Sequence, residues 1–173
     1  GGVDAGSVAP GLWMEKQVTL AIAMEAAKLL RTKQVDVLLT RNGDVYRSIN
    51  TRGEWIRARQ PALVVTLHTN MGTAGGAVYY PRRCDDDSPS YFLAANLAKR
   101  LGHTSAARVN DPAQHTYHGT LIEKVSPAAA LIDLGSSRDE ADATRLGSSQ
   151  GKLAAAKAIT DAIAAYLAAD DNL

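Results

Sequence analysis

Two short runs, residues 62–68 (ALVVTLH) and 128–134 (AAALIDL), are apolar at successive positions rather than alternate ones. A strand that is apolar toward both faces has to be covered on both, which calls for an interior, mostly parallel or mixed sheet. Residues 35–40 (VDVLLT) and 76–80 (GAVYY) are further strand candidates. Helical patterns lie between them. Over residues 14–31, Val18, Ile22, Ala26 and Leu29 recur at spacings of three and four, the stripe of a helix packed by one face. Residues 45–59 form a polar, arginine-rich helix candidate ended by Pro61. Residues 88–101 read as a helix with Ser88 as its N-cap, and 152–167 as a closing helix with Ile159, Ile163 and Tyr166 on one face. The alternation predicts the α/β class: a single domain with a mostly parallel or mixed twisted sheet and helices on both faces. Residues 102–119 are the least regular and predict the largest loop.

Composition narrows the function classes. The chain has 173 residues, enough for one domain with a real core, and 19 basic against 18 acidic side chains leave a net charge of +1. That balance lacks the basic excess of a nucleic-acid binder. No apolar run reaches the eighteen or so residues of a membrane span. Cys84 is the single cysteine, so an internal disulfide and a cysteine-based zinc cluster are both excluded; beside Asp85, Asp86 and Asp87 it reads as an incidental surface thiol. The start at Gly1-Gly2 has no Met, charged segment or apolar segment, and reads as a start other than a nascent terminus.

Open α/β sheets place ligands beyond the carboxyl ends of their strands. The 62–68 strand ends in His68, followed by Thr69 and Asn70; the 128–134 strand ends near Asp133; the glycine-rich start leads into Glu15 at the head of the first helix. A histidine and two carboxylates therefore converge on one sheet edge. A catalytic zinc site needs three nitrogen or oxygen ligands, an open position, and a carboxylate to move a proton. Glu15 and His68 suit the first role and Asp133 the last. Plainer readings stand beside these: a hydrogen-bonded structural histidine, a glutamate favouring the helix dipole, and an aspartate forming a turn. Dinucleotide binding through residues 1–6 and Gly11 is poor, because G-x-G-x-x-G is absent and no strand precedes it.

Several separated motifs, in order along nearly the whole chain, resemble the zinc-dependent N-acetylmuramoyl-L-alanine amidases of bacterial envelopes and phage endolysins. They are Gly1-Gly2-Val3-Asp4-Ala5-Gly6, Glu15-Lys16, Leu39-Thr40-Arg41 with Asp44, Arg52, Thr66-Leu67-His68-Thr69-Asn70, residues 76–80 and residues 127–135. The corresponding family patterns are D-P-G-H-G-G-x-D-x-G, E-K, S-x-H-x-N and P-x-x-L-x-E-x-G. The resemblance implies that Glu15 and His68 are zinc ligands, that Asp133 stands where the family has its catalytic glutamate, and that Asn70 shapes the substrate site. Arg41 and Arg52 match family arginines, with pairing to Asp44 or a helix end as the plainer expectation. The implied reaction is hydrolysis of the amide between N-acetylmuramic acid and L-alanine, in an open groove walled by residues 72–76 and 102–119. The implied cofactor is zinc, the partner peptidoglycan and the location the cell envelope, periplasmic or secreted.

Two departures bear on competence. The family's first histidine ligand would sit immediately before Gly1, with the first strand ahead of it, so residues 1–173 correspond to an amidase catalytic domain without that strand and ligand. Asp133 is also one methylene shorter than glutamate, a retreat of about 1.5 Å, and proton transfer depends on reach. His115 and His118 are three apart, a spacing that puts them on opposite sides of an extended chain leading to Ile122. His118 is taken as a substrate-rim residue and His103 as a surface residue. The segment between Arg100 and Gly119 is too short and too poor in apolar periodicity for the inhibitory helix of septal family members, which predicts an uninhibited variant. The rival reading is a catalytically impaired, peptidoglycan-binding pseudoenzyme of the same fold.

Overall fold

The computed structural model describes residues 1–72, 74–103, 106–109, 120–125 and 127–170. A two-residue hairpin, β1 (Val8–Ala9) with β2 (Trp13–Met14), leads into α1 (Glu15–Thr32). There follow α2 (Ile49–Arg59), β3 (Leu63–Asn70), β4 (Ala77–Tyr80), α3 (Pro89–Leu101), β5 (Ala106–Arg108), α4 (Thr120–Glu123), β6 (Ala128–Ser136), α5 (Glu140–Gly147) and α6 (Ser149–Asp170). The main sheet runs in the order β3-β6-β4-β5, with β3 parallel to β6, β4 antiparallel to β6, and β5 parallel to β4. The predicted α/β class and mixed sheet are found.

The doubly apolar pattern of β6 has a direct consequence. Ala130, Ile132 and Leu134 enter one cluster with Val18 and Ile22 of α1, Leu93 and Leu97 of α3, and Ile159 and Ile163 of α6. Ala129 and Leu131 enter another with Ile56 of α2 and with Leu121 and Ile122 of α4. Successive strand residues face opposite sides, so each half of the sequence pattern fills its own layer. Local chemistry sets the helix ends. Ser48 accepts from the Thr51 amide and Ser88 from the Tyr91 amide, each satisfying a donor that the first helical turn leaves open.

Several expectations are corrected. Residues 35–40 form no strand. Val35 and Val37 pack against the core, but among the described residues β3 pairs only with β6, and between β3 and residues 35–39 lies an apolar slot of about 640 Å³ lined by Ala23, Leu30, Val37, Val65, Ile159 and Ile163. A strand needs a neighbour about 4.8 Å away to complete its ladder, and across the slot none of the described residues supplies one. The segment approaching Ile122 is the helical turn α4 rather than a strand. Part of the expected 102–119 loop is β5. Most of the remainder lies outside the described residues, as do His115 and His118, and with them the expected substrate-rim role of His118 and the expectation that no inhibitory helix lies there. Cys84 is half-buried against the main core rather than freely exposed. Asp44 pairs with Lys16 at 2.8 Å instead of an arginine, while Arg41 donates to the Lys16 carbonyl at 2.7 Å and Arg52 to the Arg47 carbonyl.

Candidate active site

The sheet itself brings His68 and Asp133 together. In the parallel β3–β6 ladder they are direct register partners, so they stand side by side on the same face. Both fall at positions where that face has passed beyond the apolar cluster, near the carboxyl ends of the two strands. Glu15 reaches them from the first residue of α1. Its carboxylate is buried, with Oε1 3.0 Å from Nδ1 of His68. The amides of Ser7 and Thr69 donate to it at 2.8 and 3.3 Å. Gly6 makes this approach possible: its φ is +69°, and a Cβ there would lie 2.7 Å from the Glu15 Cβ. Ser7 and Thr69 are tied by a hydroxyl–hydroxyl bond, which fastens the glycine-rich start to the end of β3.

The two carboxylates are driven in opposite directions. Burial pushes Glu15 up, but the His68 hydrogen bond and charge and the two backbone amides outweigh it and hold the carboxyl below its ordinary value. Burial also pushes Asp133 up. There the Asn70 side chain, the Gly135 amide and His68 only partly compensate, and nearby Glu15 adds to the rise. Asn70 Nδ2 donates to Asp133 Oδ2 at 2.9 Å, and Asn70 Oδ1 accepts from the Gly72 amide at 2.8 Å. Both ends of that amide are therefore engaged within the protein. The site pairs an ionised carboxylate beside an imidazole with a second carboxyl biased toward its protonated form.

The donor set can be tested against a zinc ion. Two ligands of a tetrahedral centre with bonds near 2.0–2.1 Å lie about 3.3 Å apart, and the Glu15–His68 separation of 3.0 Å is close to that edge. The pair fits two corners of such a centre. Among the described residues no group of three histidine, cysteine or acidic side chains is placed to hold a metal, so a third protein corner is not found there.

Sequence reasoning missed several supports. Ser7 acts mainly through its backbone amide, which no residue pattern advertises. Asp142 and Arg145 of α5 grip the chain just after Asp133, from a helix too short to announce itself. His103, taken as a surface residue, is half-buried with Nε2 enclosed and without a hydrogen-bond partner among the described residues. Its ring packs on Gly76, which faces the Asp133 carbonyl.

The profile of the N-acetylmuramoyl-L-alanine amidase family matches residues 1–165. Protein YqiI of Bacillus subtilis is 27% identical over 168 residues, an alignment covering 96% of this chain and 80% of that protein. The amidase AmiC of Neisseria meningitidis is 36% identical over 77 residues, which cover 44% of this chain and 18% of that one. The chain thus spans most of one curated relative and under a fifth of the other. Among solved structures, N-acetylmuramoyl-L-alanine amidase AmiC2 of Nostoc punctiforme superposes with a TM-score of 0.84 at 24% identity, covering 97% of this chain and 92% of that one, so the two share a fold. With its mixed sheet, the ordered site at the ends of β3 and β6, and a profile match over nearly its whole length, the chain belongs to the N-acetylmuramoyl-L-alanine amidase family, whose established chemistry is peptidoglycan amide hydrolysis.

Proposed function

We propose that this chain is the catalytic domain of a zinc-assisted amidase that cleaves the bond between N-acetylmuramic acid and L-alanine in peptidoglycan, in the cell envelope. The observation that carries this reading is the convergence of Glu15, His68 and Asp133, with Glu15 held ionised and Asp133 pushed toward its protonated form. No helix of the described residues is long and apolar enough to cross a membrane, which agrees with that location.

Glu15 and His68 would hold the zinc, which when bound supplies Lewis-acid polarisation of the scissile carbonyl and acidification of water. Asp133 takes a proton from the attacking water and returns it to the leaving amine. Its raised pKa suits that two-way duty better than an ordinary carboxylate would. Asn70 fixes the Asp133 carboxyl through Oδ2, and among the described residues Oδ1 accepts one long hydrogen bond, 3.4 Å from the Gly135 amide. In this reading Asn70 serves the site by orienting Asp133. Glu15 also lines the apolar slot beside β3, the side from which a third ligand carried on a strand in that slot would approach.

The pseudoenzyme reading draws on the lack of a third donor among the described residues. One experiment separates the two. This chain and a form extended by the family's first strand and histidine are compared for bound zinc and for newly freed L-alanine amines on peptidoglycan digestion. The amidase reading expects stoichiometric zinc and amine release in the extended form. Tight peptidoglycan binding by both forms, with neither zinc nor release, overturns it in favour of the pseudoenzyme.

A further inference from the structure

We infer that Asp142, through Arg145 and the backbone of residues 134–136, is a positioning residue for the Asp133 carboxyl. The inference rests on the reading of Asp133 as the proton-transfer group. Asp142 is 6% exposed, and its carboxylate accepts from three donors. Oδ2 accepts the Gly75 amide at 2.8 Å and the Ser136 amide at 3.0 Å, while Oδ1 accepts Arg145 Nη2. The same Arg145 nitrogen donates to the Leu134 carbonyl at 2.8 Å. One ion pair, its carboxylate buried and its guanidinium exposed, thus holds the two residues flanking Gly135, whose amide is a donor to Asp133.

Gly135 itself is shaped by this contact. Its φ is +140°, and a Cβ there would lie 2.7 Å from the Asp142 carboxyl carbon. Only a glycine lets the chain turn after Asp133 and press onto Asp142. The grip extends across the site. Gly75 precedes Gly76, which packs against the Asp133 carbonyl, and Ser136 Oγ donates to the Gly72 carbonyl at 3.0 Å. The Ser137 amide donates to the Asn70 carbonyl at 2.8 Å. Asp142 therefore ties the end of β6 and the approach to β4 into one unit with the end of β3, which carries Asn70. Three donors converge on two carboxylate oxygens, and asparagine can accept at only one of its two side-chain atoms. Asp142→Asn must therefore release part of the grip while keeping the volume.

The test reads the Asn70 side-chain amide by NMR in the full chain, because that group bonds Asp133 and, among the described residues, shares no hydrogen bond with Asp142. Asp133→Ala supplies the reference displacement of its signals. Asp142→Asn and Arg145→Gln are expected to move the Asn70 signals in the same direction, with core amides such as those of Ile22 and Ile159 unmoved. In the amidase-active form the same substitutions are expected to lower kcat about tenfold or more with KM unchanged, the signature of a misplaced reacting group. Asn70 signals that stay in place in both variants overturn the inference, as does an unchanged kcat. Peptidoglycan hydrolysis that survives Asp133→Asn overturns the catalytic role of Asp133 instead, while the NMR comparison still judges the positioning.

Discussion

At position 76 the lack of a side chain is a spatial requirement. A Cβ there would lie 2.5 Å from the Asp133 carbonyl oxygen and closer still to the edge of the His103 ring. The backbone oxygen cannot yield without dragging the candidate catalytic strand. Gly76→Ala is expected to destabilise the fold by about 1–3 kcal/mol, the ordinary cost of overpacking, measured by chemical denaturation. His103 gives a second test. Burial and the Arg145 charge depress its pKa, against a smaller opposing pull from Asp142. The unfolded chain therefore takes up the proton first as the pH falls. Stability associated with neutral His103 is complete above the unfolded value of about 6.5 and is lost as the pH drops through the lower folded value. His103→Gln should flatten that part of the stability–pH curve, and denaturation midpoints above and below the window provide the check. Residue chemistry of this kind was half legible. Glu15, His68 and Asp133 could be named because topology alone sends strand ends and a helix start to one edge. His103 could not, because its burial comes from Gly76 across the sheet.

At the scale of elements, residues 35–40 show how an apolar, β-branched pattern fails to become a strand. Its side chains find the core, but among the described residues its backbone finds no partner across the slot. The free edge of β3 faces the same space. In the form extended by the family's first strand, amides of residues 35–40 and of β3 are expected to exchange about tenfold or more slowly than in this chain. Hydrogen exchange followed by mass spectrometry checks this, and equal rates in the two forms would mean the slot does not take the strand. The long elements α1, α3 and α6 and the buried strands β3 and β6 were legible because each repeats its period often enough to be read. The hairpin β1–β2, the three-residue β5 and the eight-residue α5 were not, because two or three strand residues, or two turns of helix, repeat their period too few times. Trp13 illustrates the point. Its indole donates to the Ala143 carbonyl at 2.8 Å and anchors the hairpin to α5, a long-range bond that neither local sequence announces.

Across the whole molecule, two layers of helices compress a sheet whose strand ends gather the polar residues of the candidate site. The sequence by itself determined the class of fold, because strands apolar on both faces can be satisfied only between helices. It also determined the identity of the principal polar residues, because polar groups that end buried strands have few other places to go. Tertiary structure alone decided how those residues differ. Glu15 and Asp133 are both carboxylates close to His68, yet one is held ionised by converging amides and the other is pushed toward its proton by burial. It alone also decided which residues hold Asp133 in place and which edge of the sheet stays open. Those outcomes depend on register, on burial and on backbone donors brought from distant parts of the chain, and such quantities come into being only when the elements pack.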